Sequence, residues 1–133
     1  MLVGSAELVA GLSTTNIIDA KYVSYPGMNV YVDFWLNHFL PQEEFTKARS
    51  LYYAGTINVI EGAITMVKKG VGLSVFPHHC VSQYIESGEL VVYSPNNSGA
   101  LTNWIYIVQQ KSDSTPYRVS MVIEWFLELY KGE

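Results

Sequence analysis

The stretch TINVIEGAITMVKKGVGLSVFPHHCVSQYIESGELVV, residues 56–92, decides the fold of this chain. Its first half has apolar residues at helical spacing, lysines in the last turn, and Gly70, which suits the left-handed position that ends many helices. A short apolar run at residues 73–76 closes at Pro77, as expected of a strand covered on both faces. A second short helix, a stop at Gly88 and another strand follow. This order predicts an α/β fold with parallel strands.

The first helix of this stretch begins with a capping signal. Asn58 is a favourable N-cap residue, because its side-chain oxygen can accept a free backbone N–H of the first turn. Glu61 lies three residues further on and can reach back, so Asn58-x-x-Glu61 predicts a variant of the capping box. The apolar face that follows comprises Val59, Ile60, Ala63, Ile64, Met66 and Val67.

The rest of the chain shows the same alternation of short strands and helices. Two of the expected helices carry apolar stripes. The stripe of the earlier helix comprises Tyr31, Phe34, Trp35, His38 and Phe39, and that of the last helix comprises Val119, Val122, Trp125, Phe126 and Leu129. Strands are expected near residues 2–5, 22–25, 50–55, 72–76, 90–93 and 103–109, and helices near residues 28–39, 58–69, 78–87 and 116–131.

The segment EGAITMVKKGVGLSVFP, residues 61–77, resembles the signature of the effector-binding domain of LysR-type transcriptional regulators. That family has a helix ending in valine, two small or polar residues and Gly-x-Gly, then an apolar strand closed by proline. The Ser-Gly-x-Leu turn at residues 87–90 is similar to the next turn of the family. Residues 2–5, 22–39 and 104–129 resemble its crossover strand, its strand–loop–helix segment, and its returning strand with the final helix. The ordered set carries the resemblance, since each motif alone is weak.

The resemblance implies an α/β lobe like that of type 2 periplasmic binding proteins, with a mixed, mostly parallel sheet flanked by helices. We expect residues 1–133 to form a single effector-binding domain fragment. Within it, residues 5–103, approximately, match the second lobe of the family. Residues 104–133, approximately, match the returning strand and helix of the first lobe. Most of the first lobe is expected to precede Leu2 in the parent protein.

Three places follow the carboxyl ends of expected strands, where open α/β sheets bind ligands. A turn at residues 24–29 opens one helix, the segment 55–58 opens the signature helix, and residues 76–78 follow the buried strand. Glycine in the turn permits close backbone approach, and a helix start offers N–H groups to an anion. A purely structural role is an alternative, since Asn58 is also a cap and Tyr25 is also a packed aromatic. The ligand-binding candidates are Tyr25, Pro26, Gly27, Met28, Asn29, Thr56, Asn58, Phe76 and Pro77.

Charge, cysteine content and the absence of catalytic motifs narrow the function. Eight Lys and Arg against twelve Asp and Glu give a net charge of −4, and the basic residues are scattered, so this chain is not expected to grip DNA by itself. The single cysteine, Cys80, excludes an internal disulfide and fits a reducing compartment. Three adjacent helical residues, His78-His79-Cys80, cannot all point at one ion, so no metal site is expected. Neither a catalytic site nor a cofactor is expected.

The resemblance implies sensing rather than catalysis. A small-molecule effector, an organic acid or a similar metabolite, is expected to bind between the lobes and shift their arrangement. Promoter DNA is expected to bind only through an N-terminal winged helix-turn-helix that this chain lacks. The apolar stripe of the last helix predicts a homo-oligomer, and a bacterial cytoplasmic location without membrane contact is expected. Two alternatives stay open: a lobe of a transporter's periplasmic solute-binding protein, marked by a secretory signal, and an enzyme of the same fold, marked by turnover.

Overall fold

The chain has a mixed α/β structure, as predicted, with short strands and flanking helices. The computed structural model describes residues 1–41, 48–95, 101 and 106–130. The strands are β1 (Leu2–Gly4), β2 (Lys21–Ser24), β3 (Tyr52–Thr56), β4 (Ser74–Val75) and β5 (Val91–Tyr93). The helices are α1 (Ala6–Ala10), α2 (Met28–Phe39), α3 (Ile60–Lys68), α4 (His78–Glu86) and α5 (Tyr117–Tyr130), with 3-10 turns at Ile17–Asp19 and Ala48–Ser50.

The strands form a mixed arrangement. β1 lies between β4 and β5 and is antiparallel to both, whereas β2 and β3 are parallel. A parallel bridge between Tyr22 and Leu73 joins the two sets, and the Val23 N–H donates to the Leu73 carbonyl at 2.8 Å. The α/β class is therefore confirmed, but the described strands form one antiparallel sheet and one parallel sheet rather than the expected single, mostly parallel sheet. The difference comes from β1, which runs against both of its neighbours.

The apolar stripe predicted for α2 is wrong for most of its length. Phe34 is 43% exposed and Tyr31 and His38 are also exposed, whereas Trp35 is buried and Phe39 is half-buried. The helix has apolar residues on more than one side, so periodicity alone does not identify the side that meets β4. The residues that α2 buries are Met28, Val32, Trp35 and Leu36.

Helix α3 begins later than the sequence predicts. Its N-cap is Val59, whose side chain makes no capping hydrogen bond, so the capping box of Asn58 and Glu61 is wrong. Asn58 lies one residue before the N-cap, and its side chain does not cap the helix. The predicted helix ends are confirmed, since Gly70 after α3 and Gly88 after α4 have φ of +77° and +78°. Glycine enters this left-handed region without steric cost.

Local patterns miss some short elements and predict a strand that is not formed. Helix α1 is too short for a periodic signal, and it is capped by Ser5, whose Oγ accepts the Leu8 N–H at 3.4 Å. The strand expected near residues 103–109 is wrong where the structure describes it, because residues 106–110 form neither strand nor helix. Residues 103–105 lie outside the described part of the chain.

The chain divides into two compact units, Met1–Leu101 and Thr102–Glu133. Helix α5 of the second unit confirms the last predicted helix, and in its first turn the Val119 N–H donates to the Pro116 carbonyl at 2.9 Å. None of the helices that the structure describes has the length and apolar content needed to cross a membrane. Large apolar side chains stay exposed along α5, namely Val122, Trp125, Phe126 and Leu129.

Gly72 packs against the backbone at the start of β2. A Cβ at this position would lie 2.8 Å from the Lys21 carbonyl oxygen, and the backbone cannot yield without disturbing the pairing of β2 with Leu73. We therefore expect Gly72→Ala to lower the free energy of unfolding by about 1–3 kcal/mol in urea denaturation. Gly11→Ala is the matched control, because its Cβ would come no closer than 3.8 Å to a described atom. Equal effects of the two substitutions would contradict this packing.

Candidate functional site

The candidate site lies where β2 and β3 end. The two parallel strands are in register at their carboxyl ends, where Ser24 pairs with Thr56. The Ile57 N–H donates to the Ser24 carbonyl at 3.0 Å, which ties the segment after β3 to the end of β2. The predicted turn at residues 24–29 and the segment 55–58 therefore meet at one edge of the sheet, the edge at which open α/β folds bind ligands.

A type II turn joins β2 to α2. The Met28 N–H donates to the Tyr25 carbonyl at 3.1 Å, and the two central residues are Pro26 and Gly27. Gly27 has φ +86° and ψ −11°, the conformation that a type II turn requires at its second central residue and that favours glycine. A Cβ on Gly27 would meet no described atom within 4 Å, so the space beside the turn is open. Helix α2 starts directly after the turn.

Tyr25 anchors this turn to β4. Its hydroxyl donates to the Val75 carbonyl at 2.7 Å, and its ring stacks on Phe76 with centroids 5.1 Å apart and planes 8° apart. Burial raises the pKa of the Tyr25 hydroxyl well above its usual range, and the neighbouring Tyr31 and Cys80 raise it further. The hydroxyl therefore stays protonated at neutral pH. It donates to the Val75 carbonyl and so fixes the wall of the site, and it does not serve as an acid or a base.

Two cavities share this turn. The first cavity has a volume of about 800 Å³ and the second about 510 Å³, within the range of roughly 300–1,000 Å³ that is usual for small-molecule sites. Tyr25, Pro26, Gly27 and Asn58 belong to both linings, so the two cavities adjoin along this turn, and together they are called the cleft. The first cavity is also lined by Ser24, Asn29, Ala48, Arg49, Tyr53, Thr56 and Ile57. The second is also lined by Val30, Tyr31, Ile60, Pro77, His79 and Cys80.

The fold brings most of the site residues expected from the sequence to this cleft. Met28 and Phe76 are exceptions, because each is 1% exposed and belongs to the core behind the cleft. Phe76 supports the Tyr25 ring, and the Met28 Sδ lies 3.2 Å from the Ser74 Oγ. The expected residues that line the cleft are Tyr25, Pro26, Gly27, Asn29, Thr56 and Asn58 in the first cavity and Pro77 in the second.

Ser24, the first residue of the predicted binding turn, also lines the first cavity. Sequence reasoning misses Arg49 and takes Tyr53 for a packed aromatic, although both residues line this cavity. Arg49 has no signal in the sequence. It lies before β3 in a 3-10 turn, and the contacts that hold this turn come from α2 and β3 rather than from neighbouring sequence.

The 3-10 turn that contains Arg49 is fixed by hydrogen bonds to the N–H and to the carbonyl of Ala48. Asp33 on α2 accepts the Ala48 N–H at 2.7 Å, and the Tyr53 hydroxyl on β3 donates to the Ala48 carbonyl. Desolvation, followed by the charge of Asp33, raises the pKa of the Tyr53 hydroxyl, which keeps it protonated as a donor. Helix α2 and strand β3 thus fix the backbone of Arg49 beside the first cavity.

The wall of the second cavity contains His79 and Cys80. Burial, followed by the charge of Glu61, raises the pKa of the Cys80 thiol, so at neutral pH the group is the thiol rather than the nucleophilic thiolate. Across the described ranges, no three His, Cys, Asp or Glu side chains are placed to hold a metal ion. The wall therefore offers a weakly polar surface beside Pro77 and Ile60.

The cleft combines the features of a binding site for a small organic molecule. Its largely apolar lining also includes the polar residues Thr56, Asn29 and Asn58 and the cationic residue Arg49. No model of a known protein family matches this chain, and no curated protein matches it significantly. Its function is therefore inferred from the residues around the two cavities and from their geometry.

Proposed function

We propose that this chain is the effector-sensing part of a homo-oligomeric LysR-type transcriptional regulator of the bacterial cytoplasm. A small molecule binds in the cleft, and this binding changes the affinity of the regulator for promoter DNA. The DNA is bound by a winged helix-turn-helix outside this chain. The observation that carries the proposal is the cleft at the carboxyl ends of β2 and β3, formed by two adjoining cavities with a shared wall.

The size and lining of the cleft favour a small organic ligand. The first cavity alone, at about 800 Å³, holds a metabolite-sized molecule. Tyr25 and Tyr53 offer aromatic surface, while Thr56 and Asn58 offer groups that fix the orientation of a ligand. Because the Asn58 side chain does not cap α3, its amide is available to a ligand in either cavity.

The strand arrangement supports the proposed lobe of a type 2 periplasmic-binding-protein-like fold. In that fold, a strand crosses from one lobe into the other, as the resemblance implies for residues 2–5. Here β1 (Leu2–Gly4) lies between β4 and β5 and runs antiparallel to both, which supports its assignment as a strand that enters this lobe from outside. A crossover strand would connect the lobe that contains the ligand site to the first lobe.

Ligand binding would act through the arrangement of the two lobes. A ligand shifts an equilibrium between two arrangements only by the difference between its affinities for them. A molecule that contacts the Tyr25–Gly27 turn of this lobe on one side and the first lobe on the other has such a difference, because only the closed arrangement offers both contacts. The expected consequence is a change in the geometry of the oligomer, and hence in DNA binding.

The double variant Asn29→Ala with Thr56→Ala tests the cleft as the ligand site. Both side chains are exposed and line the first cavity, so their loss should weaken ligand binding without unfolding the chain. Two hydrogen bonds of about 0.5–1.5 kcal/mol each correspond to a loss of affinity of roughly 5- to 150-fold. The measurement is titration of the isotopically labelled chain with benzoate, followed by backbone amide chemical shifts.

Gln83→Ala is the control, because Gln83 is exposed on α4 and lines neither cavity. It should leave the affinity for benzoate unchanged. Unchanged affinity in the double variant would remove Asn29 and Thr56 from the site. Absence of any shift at Gly27, Thr56 and Asn58 with millimolar benzoate, benzamide and 3-phenylpropionate would count against the sensing proposal itself.

A further inference from the structure

We infer that Arg49 determines which ligands the cleft accepts. The preferred ligand is an elongated acid whose carboxylate lies beside Arg49 in the first cavity and whose uncharged end reaches the second cavity. This inference rests on the proposed function, because it assumes that the cleft is a ligand site. It adds the charge of the ligand, its orientation and the residue that selects it.

The first cavity carries a positive charge that its described lining does not neutralise. Arg49 is the charged residue of that lining, and no Asp or Glu accompanies it among the described lining residues. Asp33, whose carboxylate accepts a hydrogen bond from the Ala48 N–H, is not among the described lining residues. Within the described part of the chain, Arg49 makes no ion pair within 4 Å. An anion in this cavity can therefore pair with the Arg49 guanidinium without competing with a described carboxylate of the lining.

The backbone of Arg49 is held in place before any ligand arrives. Ala48, directly before it, is bonded through its N–H to Asp33 and through its carbonyl to Tyr53. A guanidinium has five N–H donors in a planar fork that matches the two oxygens of a carboxylate. Because the turn is already fixed, a ligand acid must order only the side chain of Arg49, which lowers the entropy cost of binding.

The second cavity favours an uncharged group. Its described lining contains no Asp, Glu, Lys or Arg, and Val30, Ile60 and Pro77 give it apolar surface. The Gly27 turn separates it from the first cavity, and the missing Cβ leaves open space there. A ligand can therefore extend past Gly27 from one cavity into the other, with its charged end at Arg49 and an apolar or aromatic end beside Pro77.

The experiment compares acids with their uncharged amides. The probes are 3-phenylpropionate and 3-phenylpropionamide, with benzoate and benzamide as the short pair, titrated into the labelled full chain. We expect each acid to bind at least tenfold more tightly than its amide. The longer acid should shift amides in both linings, including His79, whereas benzoate should shift those around Arg49 and Thr56.

Substitutions of Arg49 then test its role. Arg49→Ala should lower the affinity for the acids at least tenfold and leave the amides unchanged, and Arg49→Lys should recover part of the loss. Tyr53→Phe, which removes the bond to the Ala48 carbonyl, should lower the ratio of acid to amide affinity. Arg118→Ala on α5 removes the same charge from a residue that belongs to neither described lining and should leave the affinities unchanged.

Two results would overturn the inference in distinguishable ways. Equal affinities of acid and amide, with shifts centred on Gly27 and Thr56, would remove Arg49 as the selecting residue while leaving a ligand site in the cleft. No shifts around the cleft with any of the four probes at millimolar concentration would overturn the inference and the proposed function together. Retained acid preference in Arg49→Ala would assign the selection to another group.

Discussion

Replacing Phe76 by alanine should lower the free energy of unfolding by about 3–5 kcal/mol, a large part of the stability of a small domain. Phe76 is 1% exposed, its ring stacks on Tyr25, and its N–H donates to the Met1 carbonyl at 2.9 Å. Alanine would leave a cavity behind the binding turn and remove the support of the Tyr25 ring. Urea denaturation followed by tryptophan fluorescence measures the loss.

Phe76→Leu is the matched substitution, because it keeps most of the apolar volume and should cost clearly less. The two variants should also differ in the site, since only Phe76→Ala removes the surface on which Tyr25 rests. A loss below about 1 kcal/mol for Phe76→Ala would be the size expected of a residue outside the core. That result would contradict the packing of Tyr25 on Phe76 and the geometry of the cleft that depends on it.

Raising the pH above 10 should unfold the chain cooperatively. Tyr22 and Tyr25 are buried, their hydroxyls donate to the carbonyls of Ile17 and Val75, and burial raises the pKa of both. Because the folded pKa is the higher one, the stabilisation is complete below the unfolded pKa of about 10 and is lost as the pH rises above it. Each of the two tyrosines should lower the free energy of unfolding by about 1.4 kcal/mol for each pH unit in that window.

The measurement follows tyrosinate absorbance and circular dichroism together through an alkaline titration. The buried tyrosines should ionise only as the fold is lost, so the two signals should change together. Tyr25→Phe should make the loss of stability with pH less steep. Tyr52→Phe is the control, because Tyr52 is 63% exposed and should not change the slope. Smooth ionisation of all tyrosines near pH 10 in a chain that stays folded would contradict the burial of Tyr22 and Tyr25.

The parts of the fold that local chemistry dictates are predictable from the sequence. Gly70 and Gly88 end helices in the left-handed conformation, as their positions after apolar helical runs indicate. The turn at Pro26 and Gly27 is equally local, because proline and glycine are the residues that a type II turn favours at these two positions. These features come from the backbone preferences of single residues, which do not depend on distant contacts.

The features that depend on distant contacts are not predictable in the same way. Asn58 and Glu61 have the spacing of a capping box, yet α3 begins after Asn58 and leaves its amide beside the cleft. The buried side of α2 is decided by β4, and Phe34 shows that an aromatic at helical spacing can still face solvent. Arg49 reaches the cleft through bonds made by residues of α2 and β3, so no sequence pattern identifies it.

The cleft and Arg49 together define how the chain would work as a sensor. An acid that contacts both Arg49 and the Gly27 turn would be bound at the ends of β2 and β3. Gly27 directly precedes the first residue of α2. Strand β1, which the resemblance makes a crossover to the other lobe, lies beside β4, whose Val75 carbonyl holds the Tyr25 hydroxyl. Two sets of hydrogen bonds, from Tyr25 to β4 and from β4 to β1, thus connect the ligand site to the proposed junction between the lobes.

The coding sequence upstream of Met1 tests most directly whether the chain belongs to a regulator. The proposal predicts that it encodes, in frame, a winged helix-turn-helix, a linker helix and the remaining half of the first lobe. A secretory signal followed by a half-lobe would contradict it and make the chain part of a transporter's solute-binding protein. An in-frame stop codon with no DNA-binding segment between it and Met1 would contradict it as well.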